Sequence, residues 1–376
     1  MDVAVLSAAL VVVLVVLGWA LVRLRAQSAA DHGKTEYVDR PVEVIKREVE
    51  YVDRPVEVIK RKVEYVDRPV EVIKRKVEYV ERLEPDTLVP GSEHLADPEA
   101  LPDVPDCVPD SVVDGARLGN LIVRAASTRG ETAREGARVR RQTVMLAVLE
   151  SFDPPVLLSA VAAGRAGGRR SQVGAAQSCR SIQHKLSDAA VAIEAAWRMK
   201  ADGKEESDQR LAESLRGAVR AVVDPLTEAA KWRGIDPYDI ATELTCVLTR
   251  LGDGPSRAHL AFCVGAGPVL VLRSGSSAVT VLGPDESGKR QSTATLPMEP
   301  DAVRWARFET VPGEVVLACT SSTVALLSRD DFSNVTSEWL ADPPGLIRFL
   351  THLNFADKIC REDRTAVGLW EMTGRR

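Results

Sequence analysis

Residues 258–283 read AHLAFCVGAGPVLVLRSGSSAVTVLG. Three apolar runs, Ala258–Val264, Val269–Leu272 and Ala278–Leu282, are separated by Gly, Pro and Ser, the pattern of short strands joined by turns. Toward the C-terminus the same pattern continues at Ala302–Phe308, Val315–Cys319 and Val324–Leu327. Toward the N-terminus it gives way to two Ala-, Leu- and Arg-rich stretches with amphipathic helical spacing, Val173–Met199 and Asp208–Lys231. Before these, Leu121–Ala125 and Thr143–Leu149 again predict short strands. Strands, then helices, then strands indicate an α+β layered domain.

The 376-residue chain is long enough for one sizeable domain plus accessories. Its 49 Lys and Arg nearly balance 54 Asp and Glu, so there is no broad basic field and nucleic acid is not an expected partner. Six cysteines and five histidines are scattered without the close pairs that zinc or redox sites use.

The run Val3–Val22 is uncharged and dominated by Val, Leu and Ala, which matches the roughly 20 residues a helix needs to cross a bilayer. A cleaved signal peptide would have a basic start and a shorter apolar core; here Asp2 precedes the run, and Arg23 and Arg25 follow it. Residues 3–22 are therefore read as a retained single-pass anchor. The following basic residues orient the C-terminal bulk to the cytoplasm. Residues 37–84 then repeat a fourteen-residue unit, YVDRPVEVIKREVE, with an unbroken 3,4 alternation of apolar residues from Val42 to Val80. That spacing suits a self-associating coiled coil. Pro41, Pro55 and Pro69 oppose a continuous helix, so kinked helix, extended chain and a solvated, charge-balanced spacer all stay open for this stalk. Residues 85–115 follow as a linker, in which 85–110 hold six prolines and seven acidic residues without Lys or Arg.

The segments from residue 117 to 372 resemble the type 2C (PPM-type) metal-dependent protein serine/threonine phosphatases in order and spacing. Arg141-Gln142-Thr143-Val144 is similar to the family's opening Arg-Gln-Asp-Ala. Leu157–Gly168, LLSAVAAGRAGG, resembles its Val-Ala-Asp-Gly-x-Gly-Gly. Ala241–Thr249 and Cys263–Arg273 resemble its paired strands, Pro312–Thr323 resembles the segment ending in Cys-Ser-Asp-Gly, and Glu362–Val367 resembles the closing Asp-Asp/Asn-x-Thr-x-Val. The resemblance implies a β-sandwich flanked by helices and a water held between two divalent cations by a cluster of aspartates.

Read position by position, the chain has Thr143, Ala163 and Ser321 where the family carries metal-binding aspartates, and Glu362 alone keeps a carboxylate. Ala266 replaces a further family aspartate. Neutral hydroxyls and a methyl cannot balance two adjacent dications, which take several anionic oxygens. The resemblance also implies a phosphate-holding arginine near the opening, for which Arg134 and Arg138 are candidates. No catalytic residue, metal or cofactor is therefore expected. The expected function is a membrane-anchored pseudophosphatase that binds or scaffolds an unknown protein partner, phosphorylated or not, and forms homo-oligomers through the stalk. Two other functions stay open: a working phosphatase using manganese or magnesium at a site built on Glu362 and Asp363, and an architectural protein whose domain caps the stalk.

Gly164–Gly168 lacks the Lys-Ser/Thr ending of a phosphate-cradling loop, Gly252-Asp253-Gly254 fits a hairpin turn, and Ser321-Ser322 lacks a nucleophile-elbow frame. Because the 3,4 seam is apolar at every step, residues 30–115 are expected to sediment as an oligomer in analytical ultracentrifugation. A monomer at high concentration would leave the seam without a partner.

Overall fold

A hairpin opens the domain. β1 (Ser111–Leu118) turns through Gly119-Asn120 into β2 (Leu121–Thr128), paired in continuous register from Leu118↔Leu121 to Ser111↔Thr128. Gly119 has φ +62°, a left-handed conformation that the tight turn requires and that glycine adopts without strain. The computed structural model describes residues 108–198, 204–252, 254–275, 278–283, 294–328, 332–354 and 360–372.

After the hairpin come α1 (Glu131–Glu135), β3 (Gln142–Leu149) and β4 (Val156–Gly164). A helical section follows, with α2 (Ser171–Asp188), α3 (Ala190–Arg198), α4 (Lys204–Arg220) and α5 (Val223–Trp232). Next are β5 (Thr242–Arg250), β6 (Arg257–Val264), β7 (Val269–Leu272), β8 (Val279–Leu282), β9 (Arg304–Thr310) and β10 (Val315–Cys319). The last elements are α6 (Ser321–Leu327), α7 (Ser333–Ala341), α8 (Leu346–Leu353) and β11 (Arg364–Glu371). The strands form two antiparallel sheets, one of order β1-β2-β11-β10-β7-β8 and one of order β3-β4-β5-β6-β9.

The alternation of side chains along each strand explains the layering. In β4, Val156, Leu158, Ala160 and Ala162 pack toward helices α2–α5, while Leu157 and Val161 pack toward the other sheet. The sandwich interior is closed from the six-stranded side by Val123, Ala125, Val316, Ala318, Val367 and Leu369. The outer face of that sheet is covered by α6–α8 around Trp339, whose ring meets Phe349 at 5.2 Å and Trp370 edge-on at 6.5 Å. The Trp339 indole N–H donates to His352 (2.9 Å), and Trp370 donates to the Trp339 carbonyl (2.7 Å), so both buried indoles are satisfied.

Two antiparallel sheets with helices on their outer faces agree with the α+β expectation. Local expectations change in three places. The linker assigned to residues 85–115 ends earlier, because β1 begins at Ser111; Asp114 and Gly115 disguised an edge strand that is only half-buried. The strand expected at Val324–Leu327 is the end of helix α6, with Thr323 and Leu326 buried one helical turn apart; periodicity cannot decide so short an apolar run. Each of the two long helices is split, the second just before Pro225, which sits in the first turn of α5. Helices α1, α7 and α8 had no counterpart in the sequence pattern. Among the described residues no helix is long and apolar enough to cross a membrane. The anchor at 3–22, the stalk at 37–84 and the linker up to residue 107 lie outside the described residues.

His259 in β6 bridges two neighbouring strands, with its ring nitrogens 3.0 Å from the Thr249 hydroxyl and 2.8 Å from the Thr310 hydroxyl. Burial, helped by the Arg257 charge, holds its pKa down at about 3, from an ordinary 6.5. The folded state thus keeps His259 neutral where the unfolded chain takes up a proton. This contribution to stability is complete above about pH 6.5 and is lost as pH falls toward 3, at roughly 1 kcal/mol per pH unit. Urea unfolding at pH 7 and pH 5 should show that loss, about 2 kcal/mol in total, and His259→Gln should lack it.

Candidate functional site

Strand register gathers one set of chain junctions at one end of the sandwich. Gln142 pairs with Ala163, Ala163 with Glu243, and Cys319 with Ala366, so the start of β3, the end of β4, the start of β5, the end of β10 and the start of β11 converge there. They enclose a cleft of about 370 Å³, lined by Arg141, Gln142, Ala163, Gly164, Arg165, Ala166, Glu243, Thr295, Thr320, Ser321, Ser322, Glu362 and Asp363.

Asp363 is the structural centre of this end. Its carboxylate accepts the backbone N–H of Gly130 at 2.9 Å and of Arg141 at 2.6 Å, and it is 3% exposed. Burial pushes its pKa up, against the two amides and the neighbouring Arg141 and Arg140 charges. Its backbone carbonyl accepts the Gln142 side-chain amide (2.8 Å) and the Ser322 hydroxyl (2.5 Å). Gly130 permits the crossing, since a Cβ there would lie 2.2 Å from the Glu362 carbonyl carbon.

Behind Asp363, the Thr365 hydroxyl meets that of Ser127 at 2.6 Å. The Thr365 amide donates to Thr323 at 3.1 Å, and the Thr323 hydroxyl returns to the Thr365 carbonyl at 3.1 Å. These short hydroxyl contacts join β2, β11 and α6 beneath the cleft floor.

The carboxylates of the cleft are occupied by the chain's own donors. Glu362 accepts from the Arg141 guanidinium at 3.2 Å, and the same guanidinium donates to the Ala166 carbonyl at 2.7 Å. Glu243 accepts the Ala266 amide at 3.2 Å; burial pushes its pKa up, opposed by that amide and by Arg304. Ser321 donates to the Ala266 carbonyl at 3.3 Å. Arg165 lays its guanidinium over the Tyr238 ring, 4.6 Å from the centroid.

Three of the four metal positions that the resemblance implies, Ala163, Ser321 and Glu362, share this cleft, as does Asp363. Thr143 does not line it, because alternate residues of a strand face opposite ways and Gln142 takes the cleft side of β3. Arg134 is buried against Asp110 (2.5 Å) and the Arg129 carbonyl, and Arg138 donates to the Thr132 carbonyl. Neither lines the cleft, and its arginines are Arg141 and Arg165. Glu243 and Arg141 were not singled out, although an acid opening an apolar strand and a base beside a missing aspartate were both visible in the sequence.

These residues do not fit a pair of divalent cations. Ala163 offers no oxygen, Ser321 offers a neutral one, Asp363 is turned to two amides and Glu362 to a guanidinium, whereas hard cations need several free anionic oxygens. Among the described residues, no group of three or more His, Cys, Asp or Glu side chains is placed to hold a metal ion.

The family model of protein phosphatase 2C matches residues 149–341, about half of the chain. No curated protein matches it. Similar solved structures include PppA, a key regulatory component of T6SS in Pseudomonas aeruginosa, at 18% identity over 68% of this chain and 99% of that one, with a TM-score of 0.41. The PPM Ser-Thr phosphatase MsPP from Mycobacterium smegmatis matches at 14% identity over 67% and 98%, with a TM-score of 0.40. The Mycobacterium tuberculosis serine/threonine phosphatase PstP/Ppp matches at 14% over 67% and 99%, with a TM-score of 0.37.

Removing the Asp363 carboxylate strands the amides of Gly130 and Arg141. Asp363→Ala is expected to cost about 3 kcal/mol in urea unfolding, and Asp363→Asn, which keeps one acceptor oxygen, about half of that. Equal stability of both variants and the parent would remove Asp363 from this role.

Proposed function

Because this chain belongs to the protein phosphatase 2C family, we propose that it is a catalytically inactive member that works as a membrane-anchored binding or scaffolding module. The observation that carries this is the composition of the cleft. Where the family resemblance calls for metal-binding aspartates, the cleft presents Ala163 and Ser321, and its remaining acids are bonded to backbone amides or to Arg141. Phosphoryl transfer by metal-activated water needs anionic oxygens that are free to hold the metal. Each cleft carboxylate instead already takes a donor from the chain itself.

What the cleft retains is an open, polar surface with two guanidiniums and several hydroxyls, suited to holding a side chain of a partner protein without changing it. The apolar run at 3–22 supports attachment to a membrane with the domain on the cytoplasmic side. The repeat at 37–84 supports side-by-side association of several copies, which would present several clefts to one partner.

The purified chain is expected to hydrolyse p-nitrophenyl phosphate and a phosphoserine peptide no faster than buffer when manganese or magnesium is added. Manganese-dependent turnover that disappears in Glu362→Ala would replace this function with that of a working serine/threonine phosphatase.

A further inference from the structure

Arg141 is held in the cleft at both its backbone and its guanidinium. Its backbone is fixed from both sides: the amide donates to Asp363 at 2.6 Å, and the carbonyl accepts the Gly164 amide at 3.0 Å. From that position the guanidinium makes two further contacts, one to the Ala166 carbonyl at 2.7 Å on the turn after β4 and one to Glu362 at 3.2 Å on the segment before β11. It is largely buried, with 15% of its side chain exposed against 55% for Glu362. A guanidinium cannot lose its charge near neutral pH. Glu362, the carboxylate kept at a family metal position, is therefore already paired with a cation, and that cation belongs to the chain.

We propose that Arg141 is a resident cation that excludes divalent metal ions from this cleft, so that carboxylates returned at Ala163 and Ser321 do not by themselves rebuild a metal site. A dication approaching Glu362 has to displace the guanidinium from two acceptors or lie beside it. Two like charges a few ångströms apart in a half-buried site repel strongly enough to weaken binding by about an order of magnitude or more. Loss of aspartates and gain of an internal counterion thus act together, and the second keeps Glu362 and the β4 turn in place where no metal crosslinks them. This inference rests on the reading of the native cleft as metal-free.

The test measures Mn2+ binding by the loss of the free-ion electron paramagnetic resonance signal. It compares the wild type, the pair Ala163→Asp with Ser321→Asp, and the same pair combined with Arg141→Gln. The pair alone should bind Mn2+ at least about tenfold more weakly than the combination. Arg141→Lys in place of Arg141→Gln should stay weak, since it keeps the charge. If the Gln variant does not fold, Arg141→Met, which preserves the aliphatic stem, replaces it. Equal affinity with and without Arg141, including no binding by either, overturns the exclusion, as does a Lys version that binds as tightly as the Gln version. Tight Mn2+ binding by the wild type overturns both this inference and the non-catalytic reading, whereas the other negative outcomes leave that reading standing.

Discussion

The Asp363 carboxylate holds together the end of the sandwich on which the cleft depends. It takes one amide from the corner after β2 and one from the entry to β3, and so ties the two sheets to each other at that end. The carbonyl of the same residue receives Gln142 from one sheet and Ser322 from the start of α6. A buried carboxylate is tolerated only when its oxygens are hydrogen-bonded, and here both are. Once Asp363 is spent in this way it is no longer free to bind a ligand.

The charged groups of the cleft each have a partner within the chain. Arg141 answers Glu362, the Ala266 amide answers Glu243, and Arg165 rests on an aromatic face. In a metal-bearing site the carboxylates would need an external dication to relieve their mutual repulsion. This cleft has dispersed that repulsion internally.

Particular residues show how much of this was legible in the chain. The glycine and apolar pattern at 258–283 announced strands and turns, and all three corresponding strands are present. The resemblance brought Ala163, Ser321 and Glu362 to attention, and they do meet. It also pointed to Thr143, which strand alternation turns away, and to Arg134 and Arg138, which serve the corner around Asp110 and α1. Residues 111–115 read as linker because Asp114 and Gly115 hide the start of an edge strand, which finds its partner only across the Gly119-Asn120 turn.

By itself the sequence determined the α+β character of the domain, the apolar run and the repeat that precede it, and the neutral residues at Thr143, Ala163 and Ser321, because period and composition are local properties of the chain. Only the tertiary structure decided which side of each strand faces the cleft, that Asp363 is bound to amides while Glu362 faces Arg141, and that Glu243 belongs to the same space. Those facts depend on register between strands and on contacts between residues more than two hundred positions apart, such as Arg141 and Glu362. A linear pattern carries no record of such pairings until the sheets close and bring the charges within a few ångströms.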